Sequence, residues 1–284
     1  MIEPIDQAAL VRAANALDPL PASVARLATL VTRKAWSLKE AEEVISLDQA
    51  LVARLLRLAN SAAVGSSRHI ATIEDALMRM GIGVVLSMAT GSSVQRLTKT
   101  GLPQYGLSEG DLWRHSVASA LAAEAASGVC QTTVPPESFA AALLHDVGKL
   151  VFVQFLAPGL LGYVGKAREQ CNLEIAEAET EILGFHHGEL GGLIAQHWKL
   201  PKRLVNAIIH HHTPEQGEDV VCDVVCLANV VAKRVGAGYV TQPQELKVPR
   251  DTLERLELSR QGVETMCVRV QSRLDGVLAQ YQAA

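Results

Sequence analysis

The sequence predicts an all-α protein, and three observations carry that prediction. Apolar residues recur at helical spacing along most of the chain, and no strand-like alternation interrupts them in the N-terminal half. Capping residues and glycine or proline stops bracket the periodic segments. The chain is 49% hydrophobic but only 4% aromatic, so its core must be built from Leu, Val, Ile and Ala, which suits closely packed helices.

Taken in order, residues 1–18 read as a helical lead-in closed by Pro19-Leu20-Pro21, and 23–31 as a helix. Ser37 and Glu40 form a capping box ahead of LKEAEEVISL, in which Leu38, Ala41, Val44 and Ile45 keep helical spacing. Asp48 caps the next helix, with Leu51, Val52, Leu55, Leu56 and Ala59 inward and Arg54 and Arg57 outward. Thr72 and Asp75 start IEDALMRM, Gly81 stops it, and 82–94 is helical again. Residues 99–108, with Gly101, Pro103 and Gly106, make the best linker. Ser108 with Asp111 opens a helix that carries Trp113 and His115. Pro136 suits the first turn of the next, which runs through AAALLHDVGKLVF (140–152) and breaks at Gly148. A turn is expected over 157–162, then helices over 173–183, 188–198, 202–211 and 219–235. A loop over 236–249 precedes two final helices. Val263, Met266, Val270, Leu274 and Leu278 in the last suit either a homodimer or docking onto the chain's own domain. The organisation expected is a helical subdomain over 1–100, a second over 101–240, and C-terminal helices over 241–284.

Composition narrows function. The net charge is −4 and no long basic run exists, so nucleic acid is not an expected partner. The N-terminus lacks a signal-peptide layout, and no run of about 18 uncharged apolar residues is present to span a membrane. The five cysteines form no CxxC pair or disulfide framework, and Cys222 and Cys226, four apart on a helix, read as small core residues. A reducing, cytoplasmic location fits.

Histidines and one aspartate then stand out. His145 and Asp146 end an apolar helix, where a buried carboxylate is costly unless it is paired or bound to a cation. His115, His187 and the run 210–212 fall on or beside other helices. Adjacent ligands on one helix with others far away in sequence are what a metal site inside a helix bundle requires, and imidazole with carboxylate suits Fe, Mn, Co, Ni or Zn. Taken residue by residue, the same groups are also ordinary helix-end polar residues.

Several stretches carry a resemblance. LWRHSVASA (112–120), ALLHDVGKLVF (142–152), LGFHHGELGGLIAQHWKLP (183–201) and AIIHHHTP (207–214) resemble the HD superfamily of metal-dependent phosphohydrolases. DPLPASVARL, SLDQALVARLLRLANSA and IEDALMRMGI, in that order, bring it closest to the HDOD signalling domains, over about residues 17 to 235. The resemblance implies an N-terminal helical bundle packed on an HD-like domain. It implies one or two divalent ions (Fe, Mn, Zn or Ni) on His115, His145, Asp146, His187, His211 and His212. Lys149 matches a lysine that lies near substrate phosphate in active relatives, and His186, His197 and His210 are bystanders. Two departures matter. Ala228-Asn229 occupies the place of an alanine-aspartate pair, leaving Asn229 as a neutral, weaker ligand, which stands against catalysis; and the absence of a GYP motif after the paired histidines stands against the cyclic-dinucleotide phosphodiesterases of the HD-GYP branch. Asp223, six residues earlier, faces about 240° around the helix and cannot replace it.

The function implied is a regulatory module that works through a protein partner, open to a nucleotide or other phosphate-bearing ligand, with a metal-binding pocket and little or no catalysis. The alternative is a metal-dependent phosphohydrolase, with His115, His145, Asp146 and His187 on one ion and His211 and His212 helping to hold a second. A metal-free scaffold is the third reading.

Overall fold

A computed structural model describes residues 7–61, 64, 69–156, 158–238 and 243–282 of the chain. The expectations for 1–6, for Ala157 and for 239–242 lie outside the described residues. Regular structure is helical throughout; the one extended pairing among the described residues is an isolated antiparallel bridge between Leu102 and Leu107. No single described helix is long and apolar enough to cross a membrane.

The N-terminal half comprises α1 (Gln7–Asn15), α2 (Ala22–Val31), α3 (Leu38–Ser46), α4 (Gln49–Ala59), α5 (Ile73–Met80) and α6 (Ile82–Thr98). Local chemistry sets several ends. The Glu40 amide donates to Ser37 and the Ser37 amide to Glu40 Oε2, completing the expected box. The Asp48 carboxylate accepts from the Leu51 amide, and Thr72 Oγ1 from that of Asp75. Gly81, at φ 78°, separates α5 from α6 and turns the chain through 106°. Leu51, Leu55 and Ala59 of α4 are buried, while Val52 and Leu56 pack at the edge of the core. The segment 99–108 is packed rather than slack: it holds a 3-10 turn (Pro103–Tyr105), and Leu102 and Leu107 are buried.

The second half runs through α7 (Asp111–Ala126), α8 (Glu137–Leu144), α9 (Lys149–Phe155), α10 (Pro158–Cys171), α11 (Ile175–Leu183) and α12 (His187–His197). Then come α13 (Lys202–Ile209), the short α14 (Pro214–Gly217), α15 (Val220–Arg234), α16 (Arg250–Arg255) and α17 (Arg260–Gln282). At its centre α7 lies against α8, α15 and α17. Small buried side chains such as Ala118, Ser119, Ala122 and Ala123 let these backbones approach closely. The apolar stripe of α17 is taken up within the chain: Val263, Met266, Val270 and Leu274 are buried where α17 meets α7 and α15. The buried apolar residues of both halves form one continuous cluster. His197 adds a polar tie, its Nε2 donating to the Leu17 carbonyl at 3.2 Å.

The turn expected over 157–162 is instead the start of α10. Gly159, Gly162 and Gly165 each face open space, while Leu161 and Val164, three apart, are buried. A proline is also tolerated in a first helical turn. One glycine is demanded by packing. A Cβ on Gly148 would stand 1.9 Å from the His187 carbonyl oxygen and 2.6 Å from the Gly191 nitrogen. The turn carrying His145 and Asp146 therefore touches the N-terminus of α12 backbone to backbone.

These two environments predict opposite outcomes. Gly148→Ala should lower unfolding free energy by about 3 kcal/mol or more, because backbone must move. Gly165→Ala should raise it by about 0.5–1 kcal/mol through helix propensity alone. Urea titrations of the two variants beside the parent check both.

Candidate metal centre

Each histidine of the site is placed by a helix end or a helix face. His115 lies inside α7; His145 and Asp146 occupy the turn between α8 and α9; His187 is the first residue of α12; His211 and His212 follow α13. His115, His145, Asp146, His187 and His211 are buried and His212 is half-buried, which puts the solvent side of the cluster at His212.

The tautomers follow from what Nδ1 faces. His145 Nδ1 lies 2.7 Å from the Ala142 carbonyl, His211 Nδ1 2.7 Å from that of Ile208, and His115 Nδ1 3.1 Å from that of Ala237. A carbonyl only accepts, so each Nδ1 carries the proton and each neutral ring turns a bare Nε2 inward. His187 Nδ1 donates to Glu179 Oε2 at 2.6 Å. The Nε2 atoms meet at 3.2 Å in three pairs: His115 with His145, His187 with His211, and His187 with His212. Bare imidazole nitrogens that close repel unless a positive charge lies between them. Backbone and carboxylate acceptors on the far nitrogen are the usual support for a metal-bound imidazole.

Asp146 stands between the groups. Its Oδ2 lies 3.4 Å from His145 Nε2 and 3.6 Å from His115 Nε2; its Oδ1 lies 3.1 Å from His187 Nε2, 3.9 Å from His211 Nε2 and 2.8 Å from Lys149 Nζ. Two donor sets result: His115, His145 and Asp146, and His187, His211 and His212, each with ligand atoms within 4.8 Å of one another. This allotment differs from the sequence expectation, in which His187 shared an ion with His115, His145 and Asp146. The start of α12 turns His187 toward the turn after α13. Asn229 of α15 is buried, and its Oδ1 has no hydrogen-bond partner among the described residues, as an acceptor reserved for a cation or its bound water would. The donor set fits one or two divalent ions.

The electrostatics agree. Burial drives His115, His211 and His212 well below the ordinary imidazole range and His145 to about 4, despite the Asp146 charge. Burial also opposes charge on His187, yet the carboxylates of Glu179 and Asp146 on its two sides raise its pKa. Burial opposes charge on Asp146 too, but His145, Lys149 and His187 hold its pKa well below 3.8. A proton on His187 Nε2, facing Asp146 Oδ1 at 3.1 Å, would compete with a metal for the same place.

Lys149, buried, pairs with Asp146 and lies over the Tyr105 ring at 5.7 Å from its centroid. Two participants escape sequence reading. Glu179 of α11, fully buried, accepts from both His187 nitrogens, main-chain and Nδ1, and from the Tyr105 hydroxyl at 2.7 Å. Its one available signal is its register: it falls in the inward phase of α11 with Ala176 and Leu183. Tyr105 carries none, being a lone aromatic in a glycine-rich linker. His186 caps α12, accepting from the Gly188 amide, and His210 ends α13. Asp223 chelates Arg255 at 2.7–3.0 Å, away from the centre. Cys222 and Cys226 are buried core thiols, both pushed up to about 12 by burial.

The HDOD domain family model matches residues 17–214. An uncharacterized protein of Treponema pallidum is 25% identical over 267 residues, 91% of this chain and 50% of its own length. Ribonuclease Y of Thermus thermophilus is 32% identical over 126 residues, 44% of this chain and 17% of the enzyme. The chain thus spans half or less of the length of these curated relatives. Two solved structures share the fold. One, from Marinobacter aquaeolei, is provisionally named a signal transduction protein, with TM-score 0.69, 21% identity, and 94% of this chain against 60% of that one covered. The other, from Shewanella amazonensis, is provisionally named a phosphohydrolase, with TM-score 0.67, 24% identity, and 96% and 98% covered.

Acid should expose the buried neutral histidines. Above pH 6.5, the ordinary imidazole value, His115, His145, His211 and His212 are neutral folded or unfolded. Below it the unfolded chain binds protons that the folded chain refuses, so stability falls with pH; His187, raised, acts in the opposite sense but alone. Thermal melts of chelator-treated protein should show Tm falling from pH 6.5 toward 4, and a flat profile would contradict the neutral assignment.

Proposed function

The chain belongs to the HDOD family, and from that premise we propose that it is a regulatory module which acts by binding a protein partner and whose HD-like pocket holds metal without appreciable hydrolysis. The observation that carries this reading is Asn229. By the resemblance of the sequence to the HD superfamily it occupies the place of an aspartate, and its Oδ1 is buried with no hydrogen-bond partner among the described residues. An ion held by neutral imidazoles and one carboxylate, Asp146, keeps more positive charge than one with a second carboxylate. It therefore binds an anion well, but the site lacks a second carboxylate to help hold the ion and to accept the proton of a bound water. The N-terminal half, α1 to α6, takes no part in the donor sets and is the natural place for a partner. Five free cysteines suit a reducing, cytoplasmic setting.

When bound, the metal would supply Lewis acidity and a positive anchor for a phosphate or carboxylate. The protein's own residues do the rest. Glu179 and three backbone carbonyls fix the imidazole tautomers, Lys149 shares the Asp146 charge, and burial keeps four rings neutral and ready to donate lone pairs.

A second reading, phosphodiester hydrolysis, has a specific observation behind it: Asp146 presents one oxygen to each donor set, the arrangement a two-ion centre uses. The relatives named as a ribonuclease and as a phosphohydrolase make RNA and small phosphodiesters the substrates to try.

Elemental analysis of the purified chain should find one or two equivalents of Fe, Mn, Zn or Ni, absent from the His145→Ala/Asp146→Ala double variant. The metal-loaded parent should not turn over bis(p-nitrophenyl) phosphate or an RNA oligonucleotide above that variant. Asn229→Asp should hold metal about tenfold more tightly, one added charge-assisted ligand. Turnover by the parent that vanishes in the double variant would move the assignment to hydrolysis.

A further inference from the structure

Beside the metal centre lies a second charged cluster. Lys233 follows Asn229 by one helical turn on α15 and so shares its face. Four residues later the same chain supplies the Ala237 carbonyl that accepts from His115. The Lys233 side chain is 9% exposed, and its single ion pair reaches Glu245 Oε2 at 3.5 Å. Among the described residues it makes no hydrogen bond, an unusual state for an ammonium with three donors. Glu245 is buried in the 3-10 turn Pro243–Leu246, and its Oε1 accepts from Arg168 Nη2 of α10 at 2.7 Å. Arg168 Nε is buried and has no hydrogen-bond partner among the described residues. Glu174 adjoins the group, its pKa raised chiefly by burial and further by the nearby Glu245.

The cluster lies on the rim of the centre. The helix of Arg168 packs on the 3-10 turn of Tyr105, whose ring meets Lys149, and α15 packs on the turn of Glu245. The Lys233 charge is among those acting on His115 and His212. Two cations therefore share one carboxylate and leave donors unused. A carboxylate has two oxygens and one charge. A phosphate group has three terminal oxygens and up to two charges, and it matches the ammonium and the spare Arg168 N–H better.

We infer that Lys233 and Arg168 form an anion subsite on the rim of the metal centre, which the chain's own Glu245 fills in the free protein and from which a phosphate group of the ligand displaces it. This deepens the proposed function and rests on its reading of the pocket as a ligand site. Glu245 is then an internal competitor, and ligands with two phosphate groups, or one phosphate and a metal-binding group, are the class favoured.

The test is calorimetric titration of the full chain with inorganic phosphate and with pyrophosphate, each with and without bound metal, with metal content measured on the same samples. Glu245→Gln should tighten phosphate about five- to tenfold by removing the competing charge, and Lys233→Met should weaken it about tenfold by removing the attracting one. A merely structural role would push both variants the same way. Opposite shifts, in metal-free and metal-loaded protein alike, support the subsite. Unchanged or equally weakened binding in both variants, with folding intact by circular dichroism, overturns it. A parent that holds no metal but shows the opposite shifts would sink the metal reading and leave the subsite standing.

Discussion

The carboxylate of Asp146 is the constraint on which the rest is arranged. A buried anion is tolerable only when the charges and donors around it outweigh lost hydration. Here one ammonium, from Lys149, and four imidazoles, from α7, α12, the turn between α8 and α9 and the turn after α13, stand within 4 Å of it. The helices meet where this carboxylate needs them. Gly148 lets its turn touch α12, and α7 is rich enough in alanine and serine to bring His115 within reach. Stability and ligand geometry are thus the same problem, solved by the same residues.

The outer layer works by fixing protons rather than by adding charge. Three rings are oriented by backbone carbonyls and one by Glu179, so the inward nitrogens are committed to accept before any ligand arrives. His187 is the exception. Flanked by two carboxylates, it alone among these rings has a raised pKa, and it is therefore the ring on which a proton competes most with an incoming cation.

Much of this was legible in the sequence because it is local or because it recurs as a motif. The caps at Ser37, Asp48 and Thr72 need only three-residue spacing, and the histidine-aspartate set sits in stretches that resemble a known superfamily. What was not legible depended on long-range register. Glu179 looks like one more acid on an acid-rich helix until the fold puts it behind His187, eight residues on. Tyr105 is 74 residues from its partner. The helix at Pro158–Cys171 was obscured because its glycines mimic loop punctuation, while the deciding fact is that Leu161 and Val164 are buried. The grouping of His187 with His211 and His212 is set by how α12 meets α13, which no spacing rule contains.

Tyr105 belongs to the packed segment that joins the two halves, yet its hydroxyl is bound to the carboxylate that orients His187. The packed joining segment and the ion-holding pocket therefore share one hydrogen bond. An event that moved Tyr105 off Glu179 would loosen the carboxylate that orients His187 and so would change the affinity of the pocket. Reciprocity then requires that filling the pocket change the affinity for that event by the same factor.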